Sequence, residues 1–340
     1  MRVAAIDLGT NTTRLLVADV VDGCLEPIVR REAITRLGES VDRRRTLLPT
    51  SIARVRNVLV DYRREAELLG AERVLAVGTS AVRDAENGEA LLGEVERSYG
   101  FATRLLDGVE EAALMVRGVA SGRALEPGTL IVDIGGGSTE LVLAGDDGAT
   151  CAISTEAGSV RLTERFLRSD PPSSAELDAC SAHVRSLLPA LDVARAIGVA
   201  GTVSTAAAIE RAGEVTTSGV RLKSDTGEMR SRTAARSGTA GIRLTSDTDG
   251  YRLSRVSVNA IAERLARMPL AGRERVSGLE PARAPVIVAG MVVLREILDR
   301  YGLAELEVSE RDLLEGAALA AAELPEPQEG TVPPSAFTCC

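Results

Sequence analysis

Two stretches of the chain decide its fold: "VAAIDLGTNTTRLLVADV" at residues 3–20 and "TLIVDIGGGSTELVLAGDD" at residues 129–147. In each, an apolar run breaks at an aspartate, passes through a short polar turn, and resumes as a second apolar run. Laid over one another, Asp7 falls on Asp133, Gly9 on Gly135, Thr12 on Ser138 and Thr13 on Thr139. The apolar runs predict strands: 3–8 and 14–20 in the first copy, and strand, loop and strand across 129–144 in the second. A tight glycine-rich turn exposes backbone N–H groups and its hydroxyls add donors, so the concavity suits phosphate. An aspartate at the strand end suits a hydrated divalent cation, which prefers oxygen ligands. One such turn alone reads first as a hairpin with structural glycines; its repetition favours phosphate. Neither loop is a Walker loop, which needs GxxxxGK[ST] running into a helix, nor a strand-to-helix GxGxxG fingerprint. The repeat suggests a duplicated α/β domain with a cleft between the copies, gripping a phosphate chain with its metal.

The 340 residues suffice for two domains with sizeable cores, and 45% hydrophobic residues fit a folded chain. With 2% aromatics and no Trp, those cores must be Val, Leu, Ile and Ala. A net charge of -9 argues against nucleic acid as a partner. An anionic substrate must then be met by local arginines, loop amides or a metal. Cys24, Cys151, Cys180, Cys339 and Cys340 form no CxxC and read as free thiols in a reducing compartment. No apolar run reaches membrane-spanning length and the N-terminus enters a strand at once. A cytoplasmic location without a membrane partner is expected. The single histidine, His183, lies in a helical pattern and reads as structural.

Further strands are predicted near 25–30, 33–37, 73–79 and 150–155, with another at "TRLLDG". Helices are predicted at 51–70, 88–99, 109–122, 159–168, 174–187 and 254–267. Residues 195–210 read as a strand, a Gly-Thr loop and a helix. "APVIVAGMVVLREILDRYG" reads as a buried strand turning at Gly290 into a helix, and 311–324 as a closing helix. Residues 215–250 lack periodicity and read as a long mobile loop, or alternatively as a basic flap for a polyanion. The Pro-rich tail 325–340 reads as disordered.

These stretches resemble the exopolyphosphatase/guanosine pentaphosphate phosphatase (Ppx/GppA) family, within the actin–Hsp70–sugar kinase superfamily. The resemblance spans about 1–324 and includes "TRLGESVD", "GTSAVRDAENG", "GVEEAALMVRGV", "GSVRLTERFL", "GVAGTVSTAAAI", "GYRLSR" and "VIVAGMVVL". The GGGST loop recurs across the superfamily. "TSAVRDAENG" followed by "EEA" and "DIGGGSTEL" is far more specific. It implies two actin-like, ribonuclease H-like α/β domains with an interdomain cleft. The first covers 1–124, with the closing helix 311–324 packing back onto it, and the second covers 125–305.

The same resemblance implies that Glu111, the second Glu of the EEA motif, is a general base orienting a water. Without it, a Glu pair opening a helix reads as complementarity to the helix dipole. It implies that Arg83, and with less support Arg14, bind substrate phosphate, and that Asp7 and Asp133 position Mg²⁺ or Mn²⁺. Glu140 would ligate metal or orient water. Gly9, Thr10, Asn11, Thr12 and Thr13 would line one phosphate site; Gly135, Gly136, Gly137, Ser138 and Thr139 would line the other. The implied activity is metal-dependent release of orthophosphate from the end of inorganic polyphosphate. The alternative is a guanosine pentaphosphate (pppGpp) 5'-phosphohydrolase; a superfamily kinase and a non-catalytic sensor stand as readings from other classes. The chain looks like the short two-domain form, with a homodimer suggested by analogy. Asp107, Ala113 and Asp249 depart from the family's usual Ser, Arg and His.

Overall fold

The computed structural model describes residues 1–145, 148–213 and 248–325. Nearly all of the 215–250 segment and of the tail lies outside the described residues.

The first half runs β1 (Arg2–Leu8), β2 (Thr12–Val21), β3 (Cys24–Ile34), α1 (Val41–Arg44), α2 (Pro49–Leu68), β4 (Arg73–Gly78), α3 (Ser80–Asp84), α4 (Gly88–Tyr99), β5 (Ala102–Leu105) and α5 (Gly108–Ala120). The second runs β6 (Thr129–Ile134), β7 (Thr139–Gly145), β8 (Gly148–Thr155), α6 (Ser159–Phe166), α7 (Ser174–Leu187), β9 (Arg195–Val199), α8 (Ala200–Arg211), β10 (Arg252–Ser254), α9 (Arg255–Arg267), α10 (Leu270–Arg273), α11 (Ile287–Arg300), β11 (Glu305–Val308) and α12 (Leu313–Ala322), with a 3₁₀ turn at Pro281–Arg283 before α11. One sheet has the order β3-β2-β1-β4-β5 and the other β10-β11-β9-β6-β7-β8. Both contain an antiparallel meander (β1–β2–β3, β6–β7–β8) whose first strand continues into parallel neighbours, β4 and β5 or β9 and β11. The two sheets are one topology used twice, with β10 added to the second. This is the two-lobed, actin-like arrangement.

Both central strands are covered on both faces, which explains their near-continuous apolar runs: Val3–Ile6 and Leu130–Val132 are fully buried. Asp22 and Gly23 both take positive φ (50° and 77°), the two-residue turn that matches strand twist in a hairpin. The two short strands predicted at 25–30 and 33–37 are one strand, β3. The register shifts between Val17 and Ala18, opposite the segment holding Pro27, which has no N–H for the ladder and sits on this edge strand.

Three more expectations need correction. Residues 287–300 are helix throughout, with no strand before Gly290; Ile287–Leu294 are all buried, so the run carries no helical stripe to read. Gly290 stands where a Cβ would come within 2.8 Å of the Thr202 side chain, so glycine lets α11 approach α8. The Gly-Thr loop after β9 is the first turn of α8 itself. The stretch between the strand expected at 73–79 and the helix expected at 88–99, read from sequence as a polar loop, contains the short helix α3.

Helices α5 and α12 form the layer between the two sheets. Their core includes Val3, Leu16 and Leu75 from one sheet and Ile131, Val142 and Val199 from the other. They cross closely because both carry glycine: a Cβ on Gly118 would meet the Asp312 carbonyl oxygen at 1.7 Å, and one on Gly316 the Leu114 carbonyl oxygen at 1.9 Å. Helix α12 thus lies against β1, β2 and β4. Among the described residues, no helix is long and apolar enough to cross a membrane.

Candidate active site

The β1–β2 and β6–β7 turns face one another across a cleft, and each closes in the same way. Gly9 N–H donates to the Thr12 carbonyl at 3.0 Å, and Gly135 N–H to the Ser138 carbonyl at 3.1 Å. In the second turn the N-terminus of α6 takes up the carbonyls. Ser159 N–H donates to Gly135 O (2.9 Å), Val160 N–H to Gly136 O (2.8 Å) and Arg161 Nε to Gly137 O (2.7 Å). A trans peptide sets its N–H opposite its carbonyl. The N–H groups of Gly136, Gly137 and Ser138 are therefore turned away from α6, and no protein acceptor takes them among the described residues. In the first turn Gly38 N–H engages the Thr10 carbonyl, and Thr35 and Arg36 N–H engage that of Asn11. Both turns hold their carbonyls back, as an anion site requires.

Of the loop residues named from sequence, Gly9, Thr10, Asn11, Thr12 and Gly135, Gly136, Gly137, Ser138 line the cleft. Thr13 and Thr139 do not. Thr13 is buried with its hydroxyl on that of Thr35 (2.9 Å), and the Thr139 hydroxyl donates to the Ala157 carbonyl at 2.6 Å. Strand alternation sends each to the far face of its sheet.

Glu111 reaches the cleft because of how α5 begins. Asp107 caps the helix, accepting from Val109 and Glu110 N–H, while the Glu110 carboxylate reaches back to Asp107 N–H at 2.9 Å. This capping box commits Glu110 to the helix end and leaves Glu111, the next residue round, to face the cleft. Aspartate at 107 in place of the family's serine keeps the cap. Glu111 is buried, and Arg83 Nη1 donates to it at 3.1 Å while also holding the Leu106 carbonyl at 2.7 Å. Arg83 is not among the residues lining the cleft; it lies against the carboxylate it orients. Burial pushes the Glu111 carboxyl well above the ordinary range. Glu140 adds to that rise, and Arg83 opposes it.

Arg14 lines the cleft but is already engaged by carboxylates. Its Nε and Nη2 donate to Asp7 Oδ2 at 2.9 and 2.8 Å, and its Nη1 to Asp312 Oδ2. One guanidinium shared by two buried acids cannot satisfy both equally. Burial raises Asp7 despite Arg14, whereas Arg14 and Arg30 overcome burial at Asp312 and lower it. In the second lobe, burial followed by the charge of Asp312 pushes Asp133 up to about 8. Burial followed by the charge of Asp133 pushes Glu140 up to about 7, against hydrogen bonds from Ser138 and Ser154.

Sequence reasoning missed Asp312, Arg30 and Arg283, which line the cleft together with Ala200–Thr202, the stretch read from sequence as a Gly-Thr loop. Asp312 and Glu315 have a local signal, the D-x-x-E of a capping box in "RDLLEG". Ala200 has none, yet it holds φ at 65° as α8 begins. Arg283 pairs with Glu32 across the lobes, and burial, then the charge of Arg14, lowers it to about 10. Asp249 does not line the cleft; it accepts from Glu310 N–H at 3.0 Å. His183 packs on Phe166 and is also outside the cleft wall. Cys24, Cys151 and Cys180 are free thiols.

The facing turns and the α5 carboxylate between them are features that comparison with known proteins can test, and the model of the Ppx/GppA phosphatase family matches residues 16–323. The chain belongs to this family. It is 38% identical to Exopolyphosphatase 2 of Mycobacterium tuberculosis, over 94% of this chain and 98% of that protein. It is 30% identical to a guanosine-5'-triphosphate,3'-diphosphate pyrophosphatase of Vibrio vulnificus, over 57% of this chain and 39% of that one. The crystal structure of the Aquifex aeolicus Ppx/GppA family member superposes with a TM-score of 0.72 at 28% identity, covering 95% of this chain and 98% of that one.

Proposed function

We propose that the protein is an exopolyphosphatase that hydrolyses the terminal phosphoanhydride bond of inorganic polyphosphate and releases orthophosphate. The observation that carries this reading is Glu111, a buried carboxylate held by Arg83 between two turns that each offer N–H groups and hydroxyls to phosphate. Phosphoanhydride hydrolysis needs an oriented water, charge neutralisation and fixed dipoles more than covalent help. Glu111 orients the water and takes its proton. Gly136, Gly137 and Ser138 N–H groups and the Thr10 and Thr12 hydroxyls hold the phosphates. Arg83 keeps Glu111 in place, and Arg14 is counter-ion to Asp7 before it is a ligand to substrate.

Asp7 Oδ1 is buried without a hydrogen-bond partner, and burial pushes Asp133 up to about 8 and Glu140 up to about 7, so a cation that stabilises their ionised forms suits these donors. Among the described residues no three His, Cys, Asp or Glu side chains converge to cage one. This fits Mg²⁺ or Mn²⁺ that keeps its waters and shares its coordination with substrate phosphates. Asp7 and Asp133 would hold it, with Glu140 behind, and it would neutralise the charge of the transferring phosphoryl group.

The Vibrio relative motivates guanosine pentaphosphate as the second substrate. Against it, no aromatic side chain lines the cleft among the described residues, so no ring is placed to stack a base. The reading carries a cytoplasmic location, with a homodimer as the assembly for sedimentation velocity to test. The deciding experiment is phosphate release from polyphosphate and from guanosine pentaphosphate in parallel, with Mg²⁺. Release from polyphosphate should fall by about 10²–10⁴ in Glu111→Gln. Release from the nucleotide alone would replace this reading with the second. Tight binding without release from either would make the protein a sensor.

A further inference from the structure

The closing helix α12 starts on a capping box with more to do than end a helix. Asp312 Oδ1 accepts from Leu314 N–H at 2.8 Å, and Glu315 Oε2 from Asp312 N–H at 2.7 Å. Both residues are buried, Glu315 completely. Each also uses its other oxygen on an arginine of the cleft: Asp312 Oδ2 accepts from Arg14 Nη1, and Glu315 Oε1 from Arg30 Nη2. Arg14 then spends its two remaining nitrogens on a single oxygen of Asp7, and the other oxygen, Asp7 Oδ1, is left buried in the cleft wall with no partner. Capping alone would not call for aspartate, since Asn and Ser cap helices about as well. Only a carboxylate can cap α12 and grip a guanidinium at once.

We propose that Asp312 is a positioning residue for the reaction: acting through Arg14, it turns Asp7 so that Oδ1 stays free for the cation that would accompany the phosphate chain. Its assay rests on the exopolyphosphatase reading above. Asp312→Asn keeps size and cap and removes the charge. The expected result is a fall in kcat of about tenfold or more, with Tm held within about 4 °C. In an Arg14→Gln background the same substitution should change kcat by less than about twofold, because its route to Asp7 is already cut. A residue that only caps would leave kcat unchanged in Asp312→Asn; that result, or an equal fall in kcat in both backgrounds, overturns the proposal. Asp312→Ser, which also caps, and Arg14→Lys, which keeps charge without the fork, replace either variant that fails to fold.

Calorimetric titration with magnesium tripolyphosphate separates the two readings. A wild type that binds it but releases no phosphate defeats the hydrolase reading alone, and the same cycle is then run on affinity. Weakening of about fivefold by Asp312→Asn, lost in the Arg14→Gln background, supports the positioning role. Equal weakening in both backgrounds, or no binding by the wild type, overturns it.

Discussion

Asp7 and Asp133 occupy the same place in two copies of one hairpin, yet the residues facing them have opposite charge. Across the strand pair Asp7 is set opposite Arg14, and Asp133 opposite Glu140. The first copy is closed electrically, with Arg14 between Asp7 and Asp312. The second is open: Asp133 and Glu140 are buried side by side and hold protons near neutral pH. The turns differ in a complementary way too. Where the first has Thr10 and Asn11, the second has Gly136 and Gly137, and a Cβ on Gly136 would meet Thr10 Cβ at 2.9 Å. Side chains of one copy fill the space that glycine leaves in the other. A shared backbone therefore supports two tasks, an internally neutralised wall and a wall whose charge a cation must settle.

The largest break in this contrast is Arg14→Gln, which strips the first copy of its neutralising charge. Asp7 and Asp312 would be left buried and unpaired, a loss of about 3–5 kcal/mol and roughly 10 °C in Tm. Denaturant unfolding that shows less than about 1 kcal/mol would mean that the arginine does not hold the first copy together. Gly137→Ala attacks the fit of the turns instead. Its Cβ would lie 2.3 Å from Ser80 Oγ and 2.8 Å from Thr10 Oγ1, so the turns must part. A displacement of this order should cut kcat/KM about a hundredfold; retention of full activity would show that the turns need not touch.

Glu140→Gln sharpens the comparison by removing the like charge from the second copy. Glu140 is, after burial, the largest cause of the raised Glu111 carboxyl. As the proposed base, Glu111 must be ionised to act, so the acid limb of the rate profile should move to lower pH. A limb that stays in place would separate Glu140 from the titration of the base.

Much of this was readable in the sequence, and the failures share a physical cause. The duplicated turns were legible because strand, turn and strand are local, and both turn chemistries lie within a few residues of each aspartate. Glu111 was legible through its motif, and the reason it, not Glu110, faces the cleft is the capping box one turn earlier. Thr12 and Thr13 could have been told apart by alternation alone, which puts successive strand residues on opposite faces. By contrast, α11 is buried all round and shows no stripe, and β11 is only four residues long. The Arg14–Asp312 contact joins residues 298 positions apart, beyond any local pattern.

The smallest expected effect tests the open copy directly. Below the ordinary carboxylate range Asp133 and Glu140 are protonated whether the chain is folded or not. As pH rises past that range the unfolded chain releases those protons while the folded one keeps them, up to about 7 for Glu140 and about 8 for Asp133. Stability from these groups is therefore present in acid and lost as pH rises through 7 and 8. With a chelator present, Tm should fall by a few degrees, roughly 3 °C or more, between pH 6 and 8.5. Saturating Mg²⁺ should restore it more at pH 8.5 than at pH 6, because a cation binds the ionised form that the higher pH exposes. In Glu140→Gln the fall should shrink, since one of the two buried charges is gone. A Tm that is flat across this window, or that gains equally from Mg²⁺ at both ends, would place the cation outside the second copy and return the two turns to equivalence.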